Sequence, residues 1–223
     1  MQFFITALIG FAATVSAAVI PAETITKRSG ISVTPHDTYG SSIGVLGCKV
    51  NTNRIAYWPL SPGCGKCAKV TANGRSLHLL HVDQSGGAYD ISYSAWNYFN
   101  TGNPAHTDPT MGGGIAADFE YVDMSNCADL LHEKDGKLAL SATNSMNTIS
   151  ACLSDSWFAN NYAIYNIANP NACTYGMDET CSIEQYGVSL PVCPHQLGIQ
   201  TALTTDPVVN IQYATGNLIT ALQ

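Results

Sequence analysis

The sequence predicts a mainly β protein, with one short helix in its first half and a mixed, cysteine-containing extension in its second half. Three observations support this prediction: short apolar runs separated by Gly and Asn turn signals, one helix-like stretch, and eight cysteines. Each half contains four of them: Cys48, Cys64, Cys67 and Cys127, then Cys152, Cys173, Cys181 and Cys193. Each half can therefore close its own pairs, and we expect two parts that meet after residue 127.

The first half alternates β-type runs with tight turns. Ala68 to Thr71 and Leu77 to Val82 are two such runs, and between them lies Asn73-Gly74, the strongest short signal for a hairpin. Gly86-Gly87 forms another turn before the short run Tyr89 to Ile91.

One helix and one closing strand complete the first half. Ser92 to Phe99 is helix-like because its apolar residues, including Ala95 and Trp96, have three- and four-residue spacing, and Ser92 is a suitable N-cap. Ile115 to Met124 alternates apolar and polar residues, which predicts a strand that ends close to Cys127.

The N-terminal segment has the pattern of a secretory signal and a short propeptide. Residues 1–18 are an apolar run ending in small residues, too short and too soon interrupted for a membrane span. Residues 19–28 end at Lys27-Arg28, and Ser29-Gly30 follows as a small junction of the kind that dibasic-specific secretory proteases cut. We predict a secreted, extracellular protein that starts at Ser29; the alternative is two solvated basic residues in a linker.

The charge balance excludes two classes of partner. The chain has 9 Lys and Arg residues against 16 Asp and Glu residues, a net charge of −7. Nucleic-acid binding needs a basic footprint, and an electrostatic membrane anchor needs one too. We therefore expect neither nucleic acid nor a membrane as partner. Charged residues are only 11% of the chain, which fits an extracellular β protein with a neutral, polar surface.

The stretch GCGKCAKV, residues 63–70, contains a CxxC spacing that dithiol oxidoreductases, zinc sites and disulfide frameworks share. A redox pair of this type precedes a helix, whereas here a strand follows. Secretion favours disulfides over zinc. His78, His81 and Asp83 are the tightest cluster of metal-ligand types, but on a strand His78 faces away from His81 and Asp83. We predict no metal and no cofactor.

The order of motifs in the first half resembles a known family group. The runs are CGKCAKVTANG, SLHLLHVD, YDISYSAWN and ADFEYVDMSNC. They are similar to the six-stranded double-psi β-barrel of the barwin, expansin and cerato-platanin group, over about residues 31–127, and most similar to fungal cerato-platanins. The resemblance implies a barrel over 29–127 and leaves 128–223 as an extension of unknown role.

The resemblance also implies a disulfide pairing. Cerato-platanins join their first cysteine to the first of the CGxC pair, and the second of that pair to the last. Here this implies Cys48 to Cys64 and Cys67 to Cys127. For the four cysteines of the second half, three pairings stay open.

Two carboxylates are candidate catalytic groups. In expansins and a related endoglucanase barrel, an aspartate in the position of Asp90 lies in an open groove, with a polar group or aspartate near the position of Asp83. Asp90 would then be a general acid, its pKa raised by burial or by Asp83, as in a glycoside hydrolase or lytic transglycosylase. In the structural alternative, Asp83 holds a turn and Asp90 caps the helix.

The second acid that hydrolysis requires has no clear counterpart. The endoglucanase motif that supplies the second acid, a run resembling YWDCC, is absent. The most similar stretch of this sequence, Ala56 to Leu60, contains no acidic residue. The expansin HFD motif is altered, since Ala88 and Tyr89 replace its first two residues. The sequence therefore favours a protein that binds glycans without cleaving them.

Aromatic residues are candidates for glycan binding because sugar rings stack on them. The candidates are Tyr57, Trp58, Tyr89, Tyr93 and Trp96. Trp96 is expected in the core, and Tyr57 with Trp58 is the preferred platform because Pro59 and nearby turn residues favour exposure.

The resemblance and the composition together imply a secreted, fungal protein that binds or loosens cell-wall polysaccharide or oligosaccharide, with an effector or elicitor role. Two alternatives remain: a glycan-cleaving enzyme that uses Asp90 with Asp83, and a protein-binding effector or protease inhibitor that recognises a host protein.

Overall fold

A computed structural model of the chain describes residues 27–185 and 189–222. The predicted signal peptide and residues 19–26 of the predicted propeptide lie outside the described residues, so their processing stays a prediction. Lys27 and Arg28, the last two residues of the predicted propeptide, are described and belong to the first strand. Among the described residues, no helix is both long and apolar enough to cross a bilayer.

Six strands of the first half close into a barrel, as the sequence predicted. They are β1 Lys27–His36, β2 Ile55–Trp58, β3 Lys66–Ala72, β4 Arg75–Gln84, β5 Tyr89–Ser92 and β6 Ile115–Val122. Their order around the barrel is β1-β5-β2-β4-β3-β6. The pairs β1/β5 and β2/β4 are parallel, and the other four pairs are antiparallel.

The predicted hairpin and helix are both present. Asn73 and Gly74 connect β3 to β4 with φ values of 49° and 73°, the left-handed conformation that a two-residue hairpin turn requires. Helix α1, Tyr93–Thr101, follows β5 directly, with Ser92 at its N-cap and Gly102 in the left-handed conformation at its C-cap.

The second half contains short elements only. They are α2 Met146–Cys152 and strands β7 Leu138–Ser141, β8 Tyr162–Ile167, β9 Gly176–Cys181, β10 Val209–Ile211 and β11 Leu218–Thr220. Strands β7, β8 and β9 form one sheet, and β10 and β11 form a hairpin. Single 3-10 turns lie at Gly47–Lys49, Thr52–Arg54, Met124–Leu130 and Phe158–Asn160. The extension is thus mixed, as predicted.

The two halves share one hydrophobic core. The outer face of β2 and β4, including Ile55 and Leu80, packs with Leu140, Phe158 and Ile164 of the second half in one buried cluster. A bridge between Val45 and Leu140 adds backbone hydrogen bonds between the halves. A second cluster fills the barrel interior. The described residues of the second half, 128–185 and 189–222, therefore cover one side of the barrel and complete its core.

The disulfides connect the halves, which corrects part of the predicted pairing. Cys67–Cys127 forms as the resemblance implied. The implied Cys48–Cys64 bond is wrong: Cys48 bonds Cys173, and Cys64 bonds Cys152. The physical reason is that the second half packs on the barrel and brings its own cysteines to these positions. The fourth bond is Cys181–Cys193.

Candidate functional site

The two candidate carboxylates lie in one row across the barrel wall. Thr34 of β1 pairs with Asp90 of β5, Asp90 pairs with Tyr57 of β2, and Tyr57 pairs with Asp83 of β4. One strand therefore separates the two carboxylates, and their backbones are roughly 10 Å apart. Burial, and after it the charges of Asp83 and Asp90, raise the pKa of Tyr57 far above its usual value. The tyrosine stays neutral between two acids.

Asp83 is occupied by backbone contacts. Its Oδ1 accepts hydrogen bonds from the backbone N–H of Ser42 at 3.0 Å and of Gln84 at 2.7 Å. A Cβ on Gly40 would come within 3.0 Å of Oδ2, so the loop before β2 approaches this carboxylate closely. These contacts match the structural alternative, in which Asp83 holds a turn.

A register shift also corrects the predicted orientation of Asp83. Ala56 pairs with His81 while the next residue, Tyr57, pairs with Asp83, so β4 contains one extra residue at Val82. Asp83 then lies beside Tyr57 on the outer face, whereas His81 contacts Trp58 inside the barrel. The prediction that His81 and Asp83 share one face is therefore wrong.

Asp90 is half-buried and accepts a hydrogen bond from the Thr34 hydroxyl. It does not take the N-cap position of α1, which Ser92 occupies. Because Asp83 is held by the loop and Tyr57 lies between the two acids, the row does not present a pair of free carboxylates on either side of a sugar bond.

Most of the candidate aromatic residues belong to the core. Tyr57 is 4% exposed, Trp58 0%, and Tyr93 and Trp96 1% each. The expected exposure of Tyr57 and Trp58 is wrong, because the side chain of His36 packs on Tyr57 with ring centroids 4.7 Å apart and Trp58 points into the barrel. Trp96 is in the core, as predicted.

One end of the barrel carries a cluster of rings that we call the barrel mouth, formed by Trp58, His81, Tyr89, Phe119 and Tyr121. The ring of Trp58 lies 4.3 Å from that of Phe119, 5.0 Å from His81, and 5.9 Å from both tyrosines. Tyr89 and Tyr121 are partly exposed, while the other three rings are buried. The cluster thus has a buried floor and two accessible tyrosines.

The floor of the barrel mouth contains polar atoms without partners. Trp58 Nε1 and His81 Nε2 are buried and form no hydrogen bond with any described residue. His81 Nδ1 lies 2.8 Å from the Tyr121 hydroxyl, and the carbonyls of Leu60 and Asp83 lie near the ring but outside hydrogen-bonding geometry at Nε2. An indole N–H can only donate, so Trp58 presents an unused donor beneath the tyrosines.

Two cations lie at the rim of the barrel mouth. Lys66 Nζ is 4.9 Å from the centroid of the Tyr121 ring, and Arg28 Nη1 donates to the Tyr89 hydroxyl at 3.1 Å. Burial and the neighbouring Tyr89 raise the pKa of Tyr121, and the charge of Arg28 offsets part of this rise. Tyr121 is therefore a neutral hydrogen-bonding group at physiological pH.

The barrel region of the chain is similar to a known protein family. A family model described as Cerato-platanin matches residues 36–130. The closed six-stranded barrel fits the double-psi fold of that family. The match covers less than half of the 223 residues, so the similarity to cerato-platanins applies to residues 36–130. No solved structure matches the chain.

The relatives of this chain are fungal. Allergen Asp f 15 of Aspergillus fumigatus is 24% identical over 114 residues, which are 42% of this chain and 72% of the allergen. Heat-stable 19 kDa antigens of Coccidioides posadasii and Coccidioides immitis are 31% identical over 67 residues, or 30% of this chain and 42% of each antigen. The match thus spans less than half of each Coccidioides antigen.

The sequence reasoning missed three residues of the barrel mouth: Phe119, Tyr121, and His81, which was considered only as a metal ligand. The alternation of Phe119 and Tyr121 on the predicted closing strand was the available signal, since both side chains point to one face. Among the candidates, only Tyr89 is brought to an accessible position in this cluster. Asp90, the next residue on β5, does not belong to this cluster and accepts a hydrogen bond from the Thr34 hydroxyl.

The residues of the types that bind metal ions do not lie together within the described part of the chain. No group of three or more His, Cys, Asp or Glu side chains between residues 27 and 185 or 189 and 222 could hold an ion. His78 is half-buried and His81 fully buried, on opposite sides of β4. The absence of metal and cofactor stays a prediction.

Protonation of His81 should make the barrel sensitive to acid. Burial lowers the pKa of His81 from 6.5 to about 4 in the folded protein. Between these values only the unfolded chain binds the proton, so the free energy of unfolding falls as the pH drops from 6.5 to 4, by about 3 kcal/mol. Urea unfolding at pH 7 and pH 4.5 measures this loss.

Two variants isolate the contribution of His81. His81→Phe keeps an aromatic ring and removes the titrating group, so its stability should depend less on pH in this range. His78→Gln, on the same strand but half-buried, should keep the dependence of the unmodified protein. The same slope in His81→Phe and the unmodified chain would contradict the assignment.

Proposed function

We propose that this protein is secreted and binds fungal cell-wall polysaccharide at the barrel mouth without cleaving it. The observation that carries the proposal is the pair of partly exposed tyrosines, Tyr89 and Tyr121, above the unpartnered indole N–H of Trp58. Four disulfides support an oxidising, extracellular location. The similarity to cerato-platanins and the fungal relatives support the biological setting.

The chemistry of the barrel mouth suits a neutral sugar. A pyranose ring presents an apolar face of C–H groups, which stacks on tyrosine, and hydroxyl oxygens, which accept hydrogen bonds from buried donors. Lys66 adds a donor at the rim. The net charge of −7 does not oppose the binding of an uncharged polymer.

The carboxylate row supports binding without cleavage. Hydrolysis of a glycoside requires an acid and a second carboxylate that is free to act as base or nucleophile. Asp83 is bonded to backbone N–H groups, and Tyr57 separates it from Asp90. Asp90 also lies on the outer face, beside Thr34, while Tyr89 points to the barrel mouth.

Removal of the accessible tyrosines should weaken glycan binding. In the chain that starts at Ser29, Tyr89→Ala and Tyr121→Ala should each weaken retention on insoluble chitin, cellulose or β-glucan about 5- to 30-fold, since losing one stacked ring costs about 1–2 kcal/mol. Sedimentation with each polysaccharide measures the retained fraction. Tyr98→Ala is the matched control. Tyr98 lies on α1 and is half-buried like the two tyrosines, but it contacts Arg54 and Phe99 and is not part of the barrel mouth.

A more conservative variant tests the buried donor. Trp58→Phe keeps a six-membered ring but removes the pyrrole ring with its N–H, which has no partner among the described residues. The cavity left at this buried position should cost about 1–3 kcal/mol of stability, while binding weakens severalfold. Reducing ends should not increase in any sample. Their release by the unmodified protein and its loss in Asp90→Asn would overturn the proposal in favour of an enzyme.

A second candidate function, a protein-binding effector, rests on a different surface. Leu218, Ile219 and Leu222 at the C-terminal hairpin are 64%, 44% and 83% exposed. Exposed apolar patches are common at protein interaction sites. Capture of a host protein that is lost in Leu218→Ser and kept in Tyr89→Ala would favour this function over glycan binding.

A further inference from the structure

Arg28, the second residue of the basic pair before the predicted processing site, contacts the barrel mouth. Lys27 and Arg28 begin β1 and pair with Glu120 and Phe119 of β6. The guanidinium of Arg28 donates to the Tyr89 hydroxyl at 3.1 Å, and its charge also acts on the Tyr121 hydroxyl. The Arg28 side chain thus contacts Tyr89 directly and acts on Tyr121 through its charge.

The backbone at this point is suited to proteolysis. Residues 27–30 are all exposed, and β5 begins to pair with β1 only at Val33, so the preceding residues have an unpaired edge. Proteases bind their substrates as extended strands, which such an edge permits. The dibasic site is therefore accessible in the folded protein.

The barrel does not depend on the residues before Ser29. The register of β1 on β6 shifts between Arg28 and Ile31, where Gly30 has a φ of 73° and donates its N–H to Asp118 at 2.9 Å. From Ile31 onward, β1 keeps its regular pairing with β6. A cut after Arg28 removes the pairs before this bulge and leaves those after it.

We propose that Arg28 is a latch on the barrel mouth, and that cleavage after Arg28 frees the Tyr89 hydroxyl and makes Tyr89 and Tyr121 more accessible to glycan. The cleavage hydrolyses the Arg28–Ser29 peptide bond, with water as the co-reactant, and leaves Ser29 as the new N-terminus. The segment that leaves carries the guanidinium with it. This inference rests on the proposed function for its ligand, whereas the contact of Arg28 with Tyr89 is independent of any ligand.

The latch is tested by comparing uncleaved and cleaved protein from one preparation. The chain is secreted from a host that lacks dibasic-specific protease and is then treated with such a protease, and N-terminal sequencing should show Ser29 first. Hydroxyl-radical labelling with mass spectrometry reports the accessibility of Tyr89 and Tyr121. Labelling should rise severalfold after cleavage, and retention on polysaccharide should rise about tenfold.

Two uncleaved variants separate the guanidinium from the cut. Arg28→Ala cannot be cleaved but lacks the guanidinium, so it should resemble the cleaved protein in labelling and binding. Lys27→Ala also resists a dibasic-specific protease but keeps Arg28, so it should resemble the uncleaved protein.

The outcomes distinguish the two proposals. Equal labelling before and after cleavage, or a bond that stays intact in the folded protein, overturns the latch whatever the protein binds. Increased labelling without binding to any polysaccharide supports the latch and overturns glycan binding. Increased labelling together with increased binding supports both.

Discussion

A chain that ends at Cys127 should fail to fold, although it contains all six barrel strands. The outer face of β2 and β4 would lose its cover, leaving Ile55, Tyr57 and Leu80 exposed to water. Cys48 and Cys64 would lose their partners as well. Burial of Ile55, Tyr57 and Leu80 is worth about 2 kcal/mol each and each disulfide about 2–4 kcal/mol, so the combined loss of about 10–14 kcal/mol is comparable with the 5–15 kcal/mol that stabilises an ordinary domain.

Thermal unfolding followed by circular dichroism, with the full chain in parallel, checks this expectation. The full chain should unfold in a cooperative transition, and the truncated chain should show none. A milder variant, Phe158→Ala, should remain folded but lose about 3–5 kcal/mol, because this side chain is fully buried in the shared core. A cooperative transition in the truncated chain would show that the barrel is an independent domain.

Replacement of Cys64 and Cys152 by serine should destabilise the protein by about 4 kcal/mol. This bond joins residues 88 apart in sequence, and with the other bonds intact it closes a loop of roughly 30 residues. Cys152 is 3% exposed, so serine would also place a hydroxyl in the core. Urea unfolding under non-reducing conditions measures the loss.

The bond Cys181–Cys193 provides the control. It closes a segment of 12 residues, and neither cysteine is fully buried, so its replacement by serine should cost about 2 kcal/mol. Peptide mapping without reduction should find Cys48 with Cys173 and Cys64 with Cys152. A peptide that joins Cys48 to Cys64 would restore the pairing that the family resemblance implied.

Local signals in the sequence were sufficient for most of the barrel. The hairpin at Asn73-Gly74 was predictable because a two-residue turn requires residues that accept a positive φ. The helix after Ser92 and the closing strand were predictable because their apolar residues have regular spacing over one segment. Each of these features depends on residues that are near one another in the chain.

The candidate site was less predictable because it depends on contacts between distant residues. One extra residue at Val82 turned Asp83 away from His81, and no sequence pattern marks such a bulge. Tyr57 was expected at the surface, yet the loop from His36 and the second half bury it. Tyr121 joined Tyr89 only because β1 and β6 close the barrel.

The sequence by itself determined four of the six barrel strands, the hairpin turn, the helix, the acidic charge and the use of cysteines for disulfides, whereas β1 and β2 were not predicted. Only the tertiary structure decided which cysteines pair, which carboxylate is engaged by backbone and which tyrosines are accessible. The physical reason is range: turns and strand periodicity depend on neighbouring residues, whereas burial and disulfide partners depend on how the second half packs against the barrel.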